Sequence, residues 1–463
     1  MNYNLLVEPW IPVLWSDGKY GRVGIKDALV RASCVRRIAA SNPMDRVAIL
    51  RFLLAVLYWC KGNPPEKGSA ASGSAFSADW FSKLDDNKEC FNLLGEGKRF
   101  YQDRDAQRSR AATDLIQEIP TGNNFWHFRH SADREDGLCP ACCAMGLLRL
   151  PLFSVSGLPD LKSGINGTPP VYIVPLGRSL LETLQANWAT YADLGEPTWV
   201  EPCIRPDPGQ NVPLLTGLTL LSRRVWLNDP GQSGTCVGCG AVETTLIRTC
   251  MFQSAGKQKN DRWNDPHVVY SEEMPRKASK AADLTAAGKF RMDRPWPYLL
   301  AGIAKTGKFA PWDKPTSLMV VGFATDQAKN IDVWERNLPV PSTESTQGTA
   351  ASLMQQWHRE GGWLEKRIAR SKVAGAAAIA GVRPHVEGRV SAKAGELIAG
   401  TDEAWDRAAA EYRPMMDAIA RSLSPGFTVA AVQRRREIAK MLPDMRPRTE
   451  AARRPGRKKG GDK

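Results

Sequence analysis

Two cysteine pairs are the residues of this sequence whose type and spacing most directly predict chemistry. Cys139 and Cys142 form one C-x-x-C pair, and Cys236 and Cys239 form another. Such a pair supplies two of the four thiolates that a zinc ion takes in a structural site. The glycines around the second pair let the backbone turn tightly and direct amide N–H groups at the sulfur atoms. We therefore predict that these four cysteines bind one zinc ion.

The distance between the pairs predicts a structural role for this zinc ion. Since 93 residues lie between Cys142 and Cys236, the ion would join two distant parts of one domain. Four cysteine ligands leave no open position for water or substrate, which a catalytic zinc requires; thiols without metal are the alternative. No secretory pattern is found, so we interpret the remaining cysteines as buried or unreactive thiols in a reducing compartment. These are Cys34, Cys60, Cys90, Cys143, Cys203 and Cys250.

No motif in the sequence predicts an enzyme. The histidines nearest the cysteines, His127, His130 and His267, accompany no nucleophile with an orienting partner. The common glycine-rich phosphate motifs and the H-E-x-x-H motif are absent from the sequence. A metal-dependent hydrolase is therefore disfavoured.

The charge balance favours a partner made of phosphates. Lys and Arg number 63 against 49 Asp and Glu, a formal net charge of +14, which suits nucleic acid. Part of the excess lies in residues 446–463, a basic tail that we expect to be disordered. The most apolar stretch, residues 48–60, carries Arg51 and is too short to cross a bilayer, so we expect no membrane partner. We instead predict a core helix that contains Val47, Leu50, Leu54 and Leu57.

Three polar segments are candidates for binding nucleic acid. Between Asn123 and Arg134, aromatic residues alternate with amides, histidines and arginines, a mixture that suits stacking on unpaired bases. Residues 254–262 form a loop whose long cations could enter a groove. The segment Lys162–Gly167 offers backbone amides that can approach a phosphate. Ordinary surface loops would have similar compositions.

The first 341 residues show mixed helix and strand patterns. Trp10–Trp15 predicts a strand that runs into a turn, and a segment from Val23 leads into a helix near Asp27. From Gly209 to Gly240, prolines and glycines predict short strands and turns around the second cysteine pair.

The pattern changes near Pro341, where we place a domain boundary. Residues 342–348 form a polar linker, and the alanine-rich residues 349–445 have the spacing of four antiparallel helices. The predicted fold class is therefore α+β. A mixed α/β N-terminal domain with a structural zinc site, residues 1–341, precedes a C-terminal four-helix bundle.

Taken together, these motifs resemble the CasA family, the large subunit of the type I-E CRISPR Cascade surveillance complex. The resemblance covers nearly the whole chain and keeps one order along it. It is carried by Asn4–Val13, Cys139-x-x-Cys142, Lys162–Gly164, Cys236-x-x-Cys239 and Asp265–His267.

The resemblance implies a non-catalytic protein that recognises a protospacer-adjacent motif in double-stranded DNA. Such a protein initiates strand separation and R-loop formation and helps to recruit a helicase-nuclease, while the guide RNA reads the rest of the target. The implied partners are the other Cascade subunits, the CRISPR guide RNA, double-stranded target DNA and the helicase-nuclease. The implied location is the prokaryotic cytoplasm.

The resemblance also implies roles for individual residues. The family's amide wedge, which inserts beneath the motif, matches the segment around Gln327, and the loop that contacts the 5′ end of the guide RNA matches Phe128 and His130. Where the family's loop is rich in glycine, this chain has Gly157. The implied DNA-binding residues are Gln327, Asp326, Ala328, Lys257, Lys259, Gly157 and Lys162.

A zinc-stabilised RNA-binding or scaffold protein is the alternative function. It would use the aromatic segment and the basic tail for sequence-tolerant binding. Deletion of residues 446–463 discriminates, because this alternative loses most of its affinity whereas motif recognition survives.

Overall fold

The structure is a computed structural model of the chain. It describes residues 2–65, 75–117, 137–155, 162, 164–167, 169–202, 209–242, 244–256, 258, 262–268, 317–326, 329–339, 429, 432–433 and 436. Proximity of Cα atoms divides the chain into two compact units, one of Met1–Ala286 with Gly302–Asn337 and one of Ala287–Ala301 with Leu338–Lys463. The predicted bundle, residues 349–445, lies almost wholly outside the described residues. The bundle and the domain boundary therefore stay predictions.

The described elements mix helix and strand, as the sequence predicts for the first 341 residues. The α-helices are α1 (Ile25–Val30), α2 (Pro43–Lys61), α3 (Ser82–Asp86), α4 (Pro140–Phe153), α5 (Leu180–Asn187) and α6 (Leu214–Thr219). Short 3₁₀ helices span Ala78–Phe81, Lys88–Phe91 and Ala112–Leu115. The strands are β1 (Tyr3–Asn4), β2 (Ile11–Trp15), β3 (Tyr20–Val23), β4 (Val35–Ile38), β5 (Asn92–Leu94), β6 (Ser109–Ala111), β7 (Tyr172–Leu176), β8 (Arg223–Leu227), β9 (Ser233–Gly234), β10 (Thr244–Thr245), β11 (Thr249–Ser254), β12 (Ser317–Asp326) and β13 (Lys329–Pro339).

These strands form small sheets rather than one large sheet. The three-stranded sheets have the orders β3-β2-β4, β6-β11-β8 and β13-β12-β7, and β1-β5 and β10-β9 are two-stranded. The first sheet begins with a hairpin in which Ile11 pairs with Val23, and Gly18 takes the positive φ of 86° in its turn. The predicted strand at Trp10–Trp15 and the predicted helix near Asp27 are thereby confirmed.

Helix α2 forms the centre of the core, as its apolar sequence predicts. Asn42 caps it by accepting a hydrogen bond from the Met44 amide, and Pro43 occupies its first turn, where the missing N–H costs nothing. Gly62 ends the helix with a positive φ of 81°. Helices α4, α5 and α6 pack against it. Buried apolar side chains on every side of α2 therefore make it a core helix rather than an amphipathic surface helix. In the described part of the chain, no helix combines the length and apolarity that crossing a bilayer demands.

Between residues 209 and 240 the structure corrects one expectation. Leu214–Thr219 is a helix, where we predicted only short strands and turns. Gly217, within this helix, lies against the Trp263 ring, which a Cβ atom would approach to 2.2 Å. The glycine is thus required for packing and does not mark a turn. The short strand β9 beside the second cysteine pair agrees with the prediction.

Candidate metal centre and nucleic-acid interface

The structure brings the two cysteine pairs together. The sulfur atoms of Cys139, Cys142, Cys236 and Cys239 all lie within 4.8 Å of one another. The Cys139 and Cys239 sulfurs are 3.8 Å apart, which is about the edge length of a tetrahedron with zinc–sulfur distances of ~2.3 Å. The predicted shared cluster is confirmed, and its geometry fits a metal ion with four thiolate ligands.

Local backbone structure explains how each pair is presented. Cys139 is the residue before α4, and Pro140 begins the helix. Cys142 lies in the first turn, so both cysteines are at the same end of α4. The Cys139 amide donates to the Cys236 sulfur over 3.2 Å. Gly240 has a positive φ of 74° and its amide bonds to the Cys236 carbonyl. At Gly238, a Cβ atom would come within 3.0 Å of the Cys142 sulfur. The glycines therefore allow the tight turn that the sequence predicts.

The thiols of the cluster alter one another's protonation. Hydrogen bonds with Cys139 and Cys142 lower the pKa of the Cys236 thiol, whereas hydrogen bonds with Cys139 and Cys236 raise the pKa of Cys142. These hydrogen bonds favour the thiolate form of Cys236 over that of Cys142, and a bound metal would displace the protons of its thiol ligands. Arg22 of β3 lies against the cluster: partial burial alone would lower its pKa, but its contact with Cys239 raises it. A divalent ion with four thiolates would carry a net charge of −2, which Arg22 would partly offset.

Every other cysteine that the structure describes is free of disulfide bonds. Cys90, Cys143 and Cys250 are buried, as expected for packing residues, while Cys60 is partly buried and Cys34 is exposed. Burial raises the pKa of the Cys143 thiol well above its usual range, so this neighbour of Cys142 stays protonated. Cys203 lies outside the described residues.

A second cluster surrounds Lys162. Its side chain is exposed, its amide donates to the Ser254 hydroxyl over 3.3 Å, and its carbonyl accepts from Arg223 over 2.5 Å. The Gly167 amide bonds to the Gly164 carbonyl within a turn. Because two of the amides expected to approach a phosphate bond within the protein, the Lys162 ammonium is the better candidate for a phosphate contact.

A buried ionic network lies at Asp265 and His267. Arg51 of α2 donates two hydrogen bonds to the Asp265 carboxylate, at 2.6 and 2.9 Å, and Asn166 donates a third at 2.8 Å. Arg51 also contacts His267 Nδ1 at 2.8 Å. Since arginine can only donate, Nδ1 accepts and the ring proton is on Nε2, which faces Asn187 Oδ1. Burial alone would raise the pKa of Asp265, but Arg51 outweighs it and lowers the pKa to about 2.

The remaining predicted nucleic-acid contacts are placed only in part. Asp326 is the last residue of β12, and β13 begins at Lys329 as its neighbour in the sheet. The predicted residues that lie outside the described part of the chain are Gln327, Ala328, Lys257, Lys259, Gly157, Phe128 and His130. Their roles stay predictions.

Sequence reasoning missed several residues that the structure brings to these sites. A charge inside the apolar run of α2 was the available signal for Arg51. Arg22 and Arg223 gave no comparable signal, because their partners are distant in the sequence and local spacing does not reveal them.

Comparisons with known proteins identify the family. The family model described as "CRISPR-associated protein Cse1" matches residues 4–445. The "CRISPR-associated protein CasA/Cse1" of Thermus thermophilus is 28% identical to this chain over an alignment of 383 residues, gaps included, and the alignment covers 73% of this chain and 71% of that protein.

Solved structures share the fold. The crystal structure of "CRISPR-associated protein Cse1 from Acidimicrobium ferrooxidans" has a TM-score of 0.66 and 19% identity, and the match covers 96% of this chain and 99% of that one. A chain of a "CRISPR RNA-guided surveillance complex" has a TM-score of 0.59 and 14% identity, with 95% of this chain and 99% of that one covered. Because the family model spans nearly the whole sequence, the chain belongs to the Cse1 (CasA) family of CRISPR-associated proteins, as its motifs predicted.

Proposed function

We propose that this chain is the large, non-catalytic subunit of a type I-E CRISPR RNA-guided surveillance complex. The observation that carries this proposal is the family match over residues 4–445. The fold shared with a chain of an RNA-guided surveillance complex supports it. In this role the chain recognises a protospacer-adjacent motif in double-stranded DNA, initiates strand separation and helps to recruit a helicase-nuclease.

The proposed mechanism divides recognition between protein and RNA. Pairing with the guide RNA supplies long sequence specificity, so the protein needs only fast readout of a few base pairs and a wedge that nucleates melting. Gln327, with Asp326 and Ala328, is the proposed wedge, because a planar amide can cover a base pair while it donates and accepts hydrogen bonds. Lys257 or Lys259 is the proposed groove-reading cation.

Lys162 and the residue corresponding to the family's glycine loop, Gly157, complete the proposed DNA contacts. The exposed ammonium of Lys162 and the chain's net charge of +14 support a phosphate contact. Phe128 and His130 are proposed to contact the guide RNA, and their segment leads directly to Cys139.

Zinc is the metal that we propose for the four-cysteine cluster. The four soft thiolate donors, grouped within 4.8 Å, match its preference for closed tetrahedral sulfur sites. The metal would supply a structural crosslink between the start of α4 and the turn after β9. Four thiolate ligands would fill all four coordination positions of the zinc ion. No position is then left for a reactive water molecule, which supports a non-catalytic role.

The experiment that tests this function compares reconstituted complexes with and without the chain. Opening of a motif-bearing duplex is followed by fluorescence of a base analogue next to the motif, with a motif-free duplex as control. We expect opening only with the chain and the motif. Equal opening by the complex that lacks the chain would overturn the proposal. In the same assay we expect Gln327→Ala to slow opening more than initial binding, and equal slowing of both would refute the wedge.

A further inference from the structure

A buried arginine joins three segments beside the Lys162 cluster. Arg223 is the first residue of β8 and is only 4% exposed. Its guanidinium donates to the carbonyls of Lys162 at 2.5 Å, Val155 at 2.9 Å and Ser222 at 2.8 Å. Val155 follows the C-cap of α4, and Ser222 precedes β8. Lys162 belongs to a third segment between them in the sequence. One side chain therefore fixes the relative positions of all three.

The charge of Arg223 has no counter-ion in the described part of the chain. The three acceptors are neutral carbonyls, and no carboxylate among the described residues forms an ion pair with it. Burial lowers its pKa to about 10, so the guanidinium stays protonated at neutral pH. A buried cation is ordinarily paired with a carboxylate. Here three carbonyl oxygens stabilise the cation in place of a carboxylate, so hydrogen bonds rather than an ion pair connect the three segments.

Lys162 is held through both of its backbone polar groups. Arg223 binds its carbonyl, and the Ser254 hydroxyl accepts from its amide. Arg223 and Ser254 are themselves register partners in the β8–β11 ladder, so both anchors are parts of one sheet. The hydroxyls of Ser154 and Ser222, 2.7 Å apart, tie the end of α4 to the same place. The exposed ammonium of Lys162 therefore extends from a fixed backbone position.

We propose that Arg223 is a positioning residue that holds Lys162 where its ammonium contacts the phosphate backbone of target duplex DNA. The inference rests on the proposed function and names one source of its DNA affinity. Phosphate contacts orient a protein on the duplex but carry no base information. Loss of Arg223 should therefore weaken binding and its salt dependence while motif preference is kept.

The test measures duplex affinity of the reconstituted complex between 50 and 200 mM salt. The variants are Lys162→Ala, Arg223→Gln and their double substitution, on motif-bearing and motif-free duplexes. Arg224→Gln is the matched control, because it removes the same charge from the adjacent residue, which pairs with Asp103 and Asp105 instead. Each lost phosphate contact lowers the magnitude of the slope of log K against log salt by ~0.9. Over this range of salt, the affinity of such a variant therefore falls about three- to fourfold less than the affinity of the wild type.

We expect Lys162→Ala and Arg223→Gln to lower the slope by the same amount, with no further loss in the double variant. Additive effects would mean that Arg223 acts independently of Lys162 and would overturn the inference. So would an unchanged slope in Arg223→Gln, or an equal loss in Arg224→Gln. A complete complex without motif preference would instead refute the proposed function, and the slopes on motif-free duplex would still decide the role of Arg223.

If Arg223→Gln fails to assemble, Ser254→Ala decides the question. This small change removes the other anchor of Lys162. We expect a partial loss of slope that disappears in the Lys162→Ala background. A wild-type slope in Ser254→Ala, or a loss that adds to Lys162→Ala, would contradict positioning of Lys162 by this cluster.

Discussion

Cys142 and Cys143 are adjacent in α4 and are both buried, yet they differ in chemistry. The Cys142 sulfur lies in the four-cysteine cluster, whereas Cys143 is not among the grouped ligands of the described residues. Successive residues of a helix point about 100° apart, so only one of the two sulfurs can face the second pair. Cys142 is therefore a candidate metal ligand, whereas Cys143 packs in the core.

We predict that Cys142→Ser abolishes metal binding and that Cys143→Ser does not. A hydroxyl is a poor replacement for a thiolate ligand, so zinc content should fall from about one ion per chain to near zero. In Cys143→Ser the metal should stay, with a cost of ~1–3 kcal/mol for burying a hydroxyl. Elemental analysis and thermal unfolding measure both effects. Equal zinc content in the two variants would contradict the assignment of the ligands.

Asp265 carries a buried negative charge in the core. It is fully buried against Arg51, and Asp265→Asn would leave that arginine without its charge partner. Breaking a buried pair costs ~3–5 kcal/mol, which we expect as the loss in free energy of unfolding by urea. Asp229→Asn is the control, because Asp229 is 92% exposed beside Arg99 and such pairs contribute ~0–1 kcal/mol. Similar losses in both variants would refute the prediction.

The same carboxylate predicts a dependence of stability on pH. Its folded pKa of about 2 lies below its value of ~4 in unfolded chains. A lowered folded pKa stabilises fully above the unfolded pKa, and this contribution, about 2 kcal/mol, is lost as the pH falls from ~4 towards 2. The difference between wild type and Asp265→Asn in urea unfolding should shrink over that range. A difference that stays constant between pH 6 and 2.5 would exclude this role.

At the scale of elements, the features that the sequence predicts correctly are those that local sequence patterns determine. Helix α2 follows from its apolar run, and the two C-x-x-C pairs follow from ligand spacing. Helix α6 escaped prediction because Gly217 and Pro213 resemble turn signals, while packing of Trp263 on Gly217 decides the structure. The Arg223 contacts could not be predicted either, since Lys162 and Val155 lie 61 and 68 residues away. The pairing of Arg223 with Ser254 in the β8–β11 ladder likewise joins residues that are distant in the sequence.

At the scale of the whole molecule, the two candidate surfaces have separate anchors. A metal ion in the four-cysteine cluster would fix the start of α4, which follows in the sequence the segment proposed to contact guide RNA through Phe128 and His130. The β8–β11 ladder fixes Lys162, proposed to contact target DNA. Different side chains at opposite ends of α4 form the two anchors, so we expect disruption of one to leave the other intact.

We therefore predict that assembly and DNA contact can be lost independently. Cys142→Ser should weaken association of the chain with the guide-loaded remainder of the complex, because the segment proposed to contact guide RNA would lose the anchor at Cys139 that follows it in the sequence. Complexes that do form, at raised chain concentration, should keep the salt dependence of duplex binding. Lys162→Ala should do the reverse, with normal assembly and a slope lowered by ~0.9. Sedimentation measures assembly and fluorescence anisotropy measures duplex binding. If each substitution impaired both properties to the same degree, the two surfaces would share one anchor and the proposed division would be wrong.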